Sequence, residues 1–423
     1  MLYCAATETD SSNCGGCGQT CVACEQCSLA QCTATSFLNP SEPLSGVGLN
    51  WGGAVADVDH DGLLDIAVLT MSSLDPNYDA DTITVFFGDG DGGFSRTSTL
   101  EIGSTLDVSL LQIAAGDLNG DGYNQLFVAT QGLDAGDAGF MVVGEDGGSL
   151  VLLGVYESEL SPLVGLGGGF QPGLAIGDLN GDGRSDVIFE TPEVGLELVY
   201  SQGGGNFSTD TTMLGDVCDG GYIYSYPPPG AIAVGDLNGD GLTDLAVACT
   251  YFGSQRFASV AILLQTADGG LGPPQILWPY LFAPDLIAIT PGRLDATFSN
   301  NNGPFGLNSY SFSQDGGLSL VPQTITFSSG LDTYAYALSE TDMNGDGIPD
   351  VVVLFQNAVA VLLAHPDAGI GAPVDFLVQA SNFSFPTFLS MGDLNGDHRP
   401  DVAVGLSETG ISLYFNECIA PGP

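Results

Sequence analysis

The sequence predicts an all-β protein, a seven-bladed β-propeller built from four-stranded antiparallel blades. Three observations predict it: an acidic loop that recurs at near-constant spacing, short β-branched strands around each copy, and a last unit one strand short. The missing strand has a candidate near the N-terminus.

The recurring loop reads Asp-x-(Asp/Asn)-x-Asp-Gly-x-x-Asp. It stands at Asp57-Asp59-Asp61-Asp65, and then at Asp117-Asn119-Asp121 with Gln125 in the ninth place. It returns at Asp178-Asn180-Asp182-Asp186, Asp236-Asn238-Asp240-Asp244 and Asp342-Asn344-Asp346-Asp350. The final copy, Asp393-Asn395-Asp397-Asp401, has His398 where the others have glycine. Successive first aspartates are 60, 61, 58, 106, 49 and 51 residues apart, so the gap of 106 hides one more unit. A small residue lies three places ahead of every first aspartate: Ala54, Ala114, Ala175, Ala233, Ser339 and Ser390. Ala288 fits that slot. It sets Pro291, Arg293, Asp295 and Ser299 in the ligand places of a decayed loop. With one carboxylate left, this copy is expected to be metal-free, Arg293 supplying positive charge in place of an ion.

Each loop runs into an apolar, β-branched strand such as DIAVLT, DLAVACT or DVVVLF, and a dozen residues on a second strand ends in a glycine-rich hairpin. One period therefore holds an inner strand, the acidic loop, two further strands, a hairpin and a fourth strand. Seven such units in series make a propeller. A linear β-solenoid has coils too short for periods of 49 to 61.

The last unit stops at ISLYFNEC with three strands. Aligned on the first hairpin, the stretch SFLNPSEPLS supplies the fourth, Phe37 standing where Phe94 stands. The propeller then spans residues 34–423 and follows a Cys-rich segment, 1–33. On this alignment Cys32 and Cys418 share the hairpin turn and are expected to form a disulfide; Cys218 and Cys249 are expected to pair on neighbouring strands. Seven of ten cysteines lie in the first 32 residues, which points to disulfides and an oxidising, extracellular setting. Zinc competes through Cys14-x2-Cys17 and Cys24-x2-Cys27, but the six residues between the pairs are short for a zinc ribbon. Met1 runs into this segment without an apolar leader, so the start reads as processed or shortened.

Composition narrows the function classes. There are 51 acidic residues against five arginines (Arg96, Arg184, Arg256, Arg293, Arg399) and no lysine, a net charge of −46. Nucleic acid and anionic membranes need basic patches, so neither is an expected partner. A Schiff-base lysine is impossible. No apolar run reaches the roughly 18 residues of a membrane-spanning helix. Clustered carboxylates at this density call for cations.

Calcium fits the loop chemistry, because it accepts six to eight oxygens from carboxylates, amides and backbone carbonyls. Positions one, three, five and nine offer side chains. Position seven offers its carbonyl, from Leu63, Tyr123, Arg184, Leu242, Ile348 and Arg399 in turn. Glycine at six permits the turn. Magnesium favours a small octahedron with retained waters and fits less well. About six calcium sites are expected, strongest in the first loop with its four aspartates and weakest in the second. Metal-free, these acids repel one another, so calcium belongs to the folding free energy.

The GDLNGDG-x-x-Asp loops resemble the FG-GAP or VCBS-type repeat of integrin α-subunit heads, bacterial surface proteins and some fungal lectins, over about residues 34–418. The stub TDSSNCGGCGQTC is similar to a stigma-type Cys-rich motif. The resemblance implies metal loops on one face and a ligand on the other. There the connections are long and aromatic: Trp51, Tyr78, Tyr222, Tyr224, Tyr226 and Tyr251 are candidate contacts for a protein or glycan partner, against packing between blades as the plainer reading. The chain is expected to act as a monomeric binding or adhesion module. The alternative is a calcium-stabilised polysaccharide lyase or hydrolase, since acids abound. No nucleophile elbow, zinc-protease helix or P-loop is present, and a non-enzyme is the expectation.

Overall fold

Each acidic loop is a link between two antiparallel strands, and the strands that enter the loops stand side by side around one axis. The computed structural model describes residues 25–28, 31–34, 38–41, 44, 49–71, 82–102, 106, 108–132, 138–157, 173–191, 195–210, 222–223, 232–251, 257–277, 284–298, 305–313, 317–318, 322–327, 335–365, 369–378, 385–408 and 410–417. The entering strands are Leu49–Ala56, Val108–Gly116, Leu174–Gly177, Ile232–Gly235, Pro284–Thr290, Ala335–Thr341 and Pro386–Gly392. Each touches the next, and the seventh touches the first. The ring is closed with seven blades.

Second strands begin at the ninth loop position, as in Asp65–Met71, Asp244–Tyr251 and Asp401–Leu406, and pair antiparallel with the first. Third and fourth strands complete each sheet. Blade four carries an additional piece, Tyr222–Ile223, beside its second strand.

The sheets are sandwiched face to face, and this explains why their strands read as continuous apolar runs. Asp350–Phe355 is buried at all six positions, because a neighbouring blade covers each face. Seven apolar clusters result, one per seam. Phe127, Phe140 and Val187 lie between blades two and three; Leu286, Phe305 and Val353 lie between five and six; Ile66, Phe388 and Ala403 lie between seven and one.

Crowding at the axis is sharpest two places beyond the small residues singled out above. A Cβ on Gly177 would stand 3.3 Å from Val234 Cγ2, and one on Gly235 would stand 3.0 Å from Ile289 Cγ2, each on the following blade. One on Gly392 would collide with Leu64 of blade one. These glycines leave room for the next blade's inner side chains.

The ring closes as the repeat count requires. Leu38–Pro40 is the outer strand of blade seven, with Leu38 opposite Asn416 and Pro40 opposite Tyr414. Asn416 stands in blade seven where Gly88 stands in blade one, which places Leu38 level with Ser95. Ser41 and Leu44 continue the seam by bonding the carbonyls of Leu413 and Ile411 at 2.9 Å. Phe37 lies outside the described residues, as do Cys418 and Cys218. Of the Cys-rich segment, Glu25–Ser28 and Gln31–Ala34 form a hairpin in which Cys27 is in register with Cys32. Cys249 is disulfide-bonded.

Candidate metal centres

The loop conformation follows from its glycines and its first aspartate. In the fourth loop Asp236 Oδ1 accepts the N–H groups of Gly239 (2.7 Å) and Asp240 (3.0 Å), while Oδ2 accepts that of Gly241 (2.8 Å). The second, third, sixth and seventh loops repeat the pattern, with His398 N donating in place of glycine in the last. Two residues per loop adopt positive φ, as Gly239 (77°) and Gly241 (85°) do here. His60 in the first loop (64°) and His398 in the last (65°) occupy such slots and carry a Cβ penalty there. The position-two side chain turns inward as a plug; Val58, Leu179, Leu237 and Met343 are fully buried.

Positions one, three and five converge. In the first loop, donor oxygens of Asp57, Asp59 and Asp61 all lie within 4.8 Å of one another. The Asp59 side chain is 8 % exposed, and its Oδ1 is buried without a protein partner. Its other oxygen meets Arg96, whose guanidinium lies over the Phe87 ring at 3.5 Å. An orphaned carboxylate oxygen among three acids, with oxygen donors only, fits a hard cation. Calcium would be held by positions one, three and five and would supply the charge that these acids lack. Two other loops meet arginine as well: Arg184 pairs with Asp182, and Arg399 with Asp397 at 2.9 Å.

Position nine does a second job. Asp244 Oδ2 accepts Leu237 N at 2.9 Å, and Oδ1 accepts Gln265 N at the end of the third strand at 2.8 Å. Asp65, Asp186, Asp350 and Asp401 bond in the same way, and all five are fully buried. Oδ1 of each, which accepts one N–H, keeps a lone pair for a cation, whereas Oδ2 of Asp65 and Asp244 also accepts the N–H of Asp59 and Asn238. Burial pushes these carboxyls up, to about 6 for Asp65 and Asp401 and to about 7 for Asp186 and Asp350; the backbone N–H groups oppose the shift and the loop acids add to it. The charged form is therefore disfavoured until a cation compensates it.

In the second loop Gln125 keeps the anchor and loses the donor set. Its Oε1 accepts Leu118 N at 2.9 Å, as the aspartates do. Its Nε2 donates to Tyr123 O at 2.9 Å, which occupies the position-seven carbonyl.

The decayed unit is placed differently from the spacing argument. Thr290 pairs with Arg293 across a two-residue turn, Pro291-Gly292, Gly292 having φ 77°. The loop is absent, so Arg293 occupies position nine rather than three, and Asp295 lies inside the second strand rather than at position five. Ser299 lies outside the described residues. Arg293 does supply the positive charge: Nε bonds Asp295 at 2.7 Å, Nη2 bonds Pro349 O of blade six at 2.8 Å, and Glu340 is 3.7 Å away.

Side chains that the sequence reading passed over tie three of the loops to the neighbouring blade. Ser201 Oγ donates to Leu118 O, Gln265 Nε2 to Asp178 O at 3.1 Å, and Asn416 Nδ2 to Met343 O at 2.7 Å. All three occupy one slot, the residue whose N–H meets the ninth aspartate. A polar residue recurring there was the available signal.

Among the aromatic candidates, Trp51 is half-buried and packs on the seam between blades one and two. Tyr222 and Tyr251 lie on paired strands of blade four, Tyr222 opposite Thr250. Tyr78, Tyr224 and Tyr226 lie outside the described residues. Among the described residues no helix is long and apolar enough to cross a membrane.

The FG-GAP-like repeat family model matches residues 57–128, 178–247 and 342–404, and so passes over the turn of blade five. Chicken (Gallus gallus) integrin alpha-V is 29 % identical over 205 residues, 43 % of this chain and 19 % of the relative. The chain thus spans under a fifth of the length of the first curated relatives it matches. Among solved structures, BBS1N in complex with ARL6DN has a TM-score of 0.56 at 11 % identity, covering 91 % of this chain and 98 % of that one. Bacillus licheniformis rhamnogalacturonan lyase PL11 has a TM-score of 0.50 at 14 % identity, covering 92 % and 77 %. At these identities both share the fold alone.

Proposed function

Because the chain is an FG-GAP-type repeat protein, we propose that it is a calcium-loaded binding module of an extracytoplasmic compartment, with a protein or glycan as partner. The observation that carries this reading is the first loop, where three carboxylates converge around the unpartnered Asp59 Oδ1. Positions one, three and five hold calcium in six loops, and in five of them the buried ninth carboxylate transmits its binding into the strands. The metals are structural. The disulfide at Cys249 and the dense N-terminal cysteines support an oxidising compartment. Relatedness to integrin alpha chains favours adhesion over turnover, and we read the chain as a non-enzyme.

Isothermal titration with calcium, followed by EDTA treatment under thermal melting, tests the metal. About six bound ions and a lowered melting temperature without them are expected; an unchanged melt refutes the structural role. Glycan-array and protein-binding screens test the module. Depolymerisation of a polysaccharide by the purified chain would replace the reading with a lyase or hydrolase.

A further inference from the structure

Blade five lacks an acidic loop and carries an acid in its wall instead. Asp295, third in the strand Arg293–Phe298, has a side chain that is 0 % exposed. Second strands of the other blades hold Ala67, Phe127, Ile188, Ala246, Val352 and Ala403 at this register position. Glu340, on the inner strand of blade six, stands where other inner strands carry residues such as Val234 and Met391, and its side chain is 4 % exposed. The inner strands of blades five and six touch. Across that seam the two carboxylates lie close enough for Asp295 to disfavour charge on Glu340. Packing does not account for two acids set against each other in positions that are otherwise apolar.

Arg293 answers only one of them fully. Its Nε bonds Asp295 Oδ2 at 2.7 Å, while Nη2 is spent on the Pro349 carbonyl at 2.8 Å. Nη2 stays 3.7 Å from Glu340 Oε1, beyond hydrogen-bonding distance. Asp295 Oδ1 and both carboxylate oxygens of Glu340 are therefore buried with no hydrogen-bond partner among the described residues. Two carboxylates and one guanidinium leave the cluster one positive charge short. Asp350 also acts on Arg293, but its oxygens accept Met343 N and Ala364 N as the anchor of the sixth loop.

A buried charge without compensation is costly, and three orphaned acceptors around it call for a partner. A proton shared by the two carboxyls engages two of the three oxygens and leaves the third. A divalent ion beside the guanidinium overshoots the missing charge. One monovalent ion meets the three oxygens and the charge together, oxygen donors being those a hard cation takes. We propose that a sodium or potassium ion is bound in the seam between blades five and six by Asp295 Oδ1 and the carboxylate of Glu340. The site is separate from the calcium loops and goes beyond the binding-module reading. It pins together the two blades that the missing loop leaves without a calcium ion between them.

The test is thermal melting of the full chain in calcium buffer at fixed pH and ionic strength. Sodium or potassium chloride is exchanged for tetramethylammonium chloride, whose cation is too bulky for a packed seam. A saturable rise of about 3 °C at a hundredfold excess over Kd is expected in sodium or potassium. Glu340→Gln removes the uncompensated charge together with a donor oxygen. This variant is expected to melt alike in all three salts, and no lower than the unsubstituted chain does in tetramethylammonium. Superimposable melts of the unsubstituted chain, or an equal rise in the variant, would overturn the proposal. Should the variant fold poorly, thallous ion soaked into crystals of the unsubstituted chain decides. An anomalous peak between Asp295 and Glu340 is expected; its absence overturns the ion in favour of a shared proton.

Discussion

Between its first and second strands blade four runs through Asp236 to Thr243, whereas blade five makes do with Pro291 and Gly292. Both then start the second strand at the same register position, with Asp244 in one and Arg293 in the other. Asp244 reaches inward to three backbone N–H groups and leaves negative charge for an ion to neutralise. Arg293 brings its own positive charge, held by Asp295 and Glu340, and bonds the neighbouring blade directly. The position is an anchor in either case. What differs is whether its counter-charge is borrowed from solution or built into the chain.

Four measurements would break or sharpen that contrast. The largest effect belongs to calcium withdrawal, since one site held at a hundredfold above its Kd contributes about 2.7 kcal/mol and there are six loops. It carries a pH signature. Burial pushes four of the ninth aspartates up to about 6 to 7 in the metal-free fold against a usual 3.8, and Asp244 in the same direction, so their protonated forms are the ones the fold favours. Their contribution to metal-free stability is therefore full below about 4 and lost as pH rises through about 7. The melting temperature in EDTA should fall from pH 5 to pH 8, and the rise on adding calcium should be larger at pH 8. An EDTA melt that is flat across this range would contradict the assignment.

Next comes Arg293→Met, which strands Asp295 and Glu340 in the core, their side chains 0 % and 4 % exposed. Breaking a buried pair of this kind costs about 3–5 kcal/mol, and urea unfolding should give the same loss with and without calcium. A calcium-dependent loss would mean that Arg293 acts through the loop of blade six.

Asp244→Ala leaves Leu237 N and Gln265 N buried without acceptors, at about 2–4 kcal/mol for the two. Asp244→Asn keeps one acceptor oxygen and should cost less, as Gln125 in blade two indicates. The smallest effects are gains. His60→Gly and His398→Gly relieve positive-φ strain and should each stabilise by about 1 kcal/mol; a loss on both would show that the imidazoles contribute contacts worth more than the strain.

Blade number and ring closure were legible in the sequence because a propeller repeats one strand register, and each acidic loop marks the same point in it. The alignment of Phe37 on Phe94 set the outer strand of blade seven in the register that Leu38 and Asn416 adopt. The decayed unit was legible in existence but not in detail. Equal spacing assumes loops of equal length, and the deletion in blade five moved Arg293 from a ligand place to the anchor. Glu340 left a trace, an acid in the inner-strand slot that holds Val55, Ala115, Ile176, Val234, Ile289 and Met391 elsewhere, yet its partner is on another blade. The same holds for Ser201, Gln265 and Asn416. Contacts between repeats are not written in the period of the repeat.

Blade seven draws strands from both ends of the chain, and this has a consequence for biogenesis. Leu38–Pro40 emerges before the rest of the propeller during synthesis and has no sheet to join until Gly410–Asn416 exists. The other six blades can form in order from local hairpins, but the seam next to blade one stays open, its apolar faces uncovered, until Gly410–Asn416 has been made. The closing pairing spans nearly the whole length of the chain, the slowest kind of contact to make. Completion of the ring is thereby a late, all-or-none event. A chain truncated anywhere in its last strand should retain its blades as exposed, aggregation-prone sheets rather than settle as a smaller propeller.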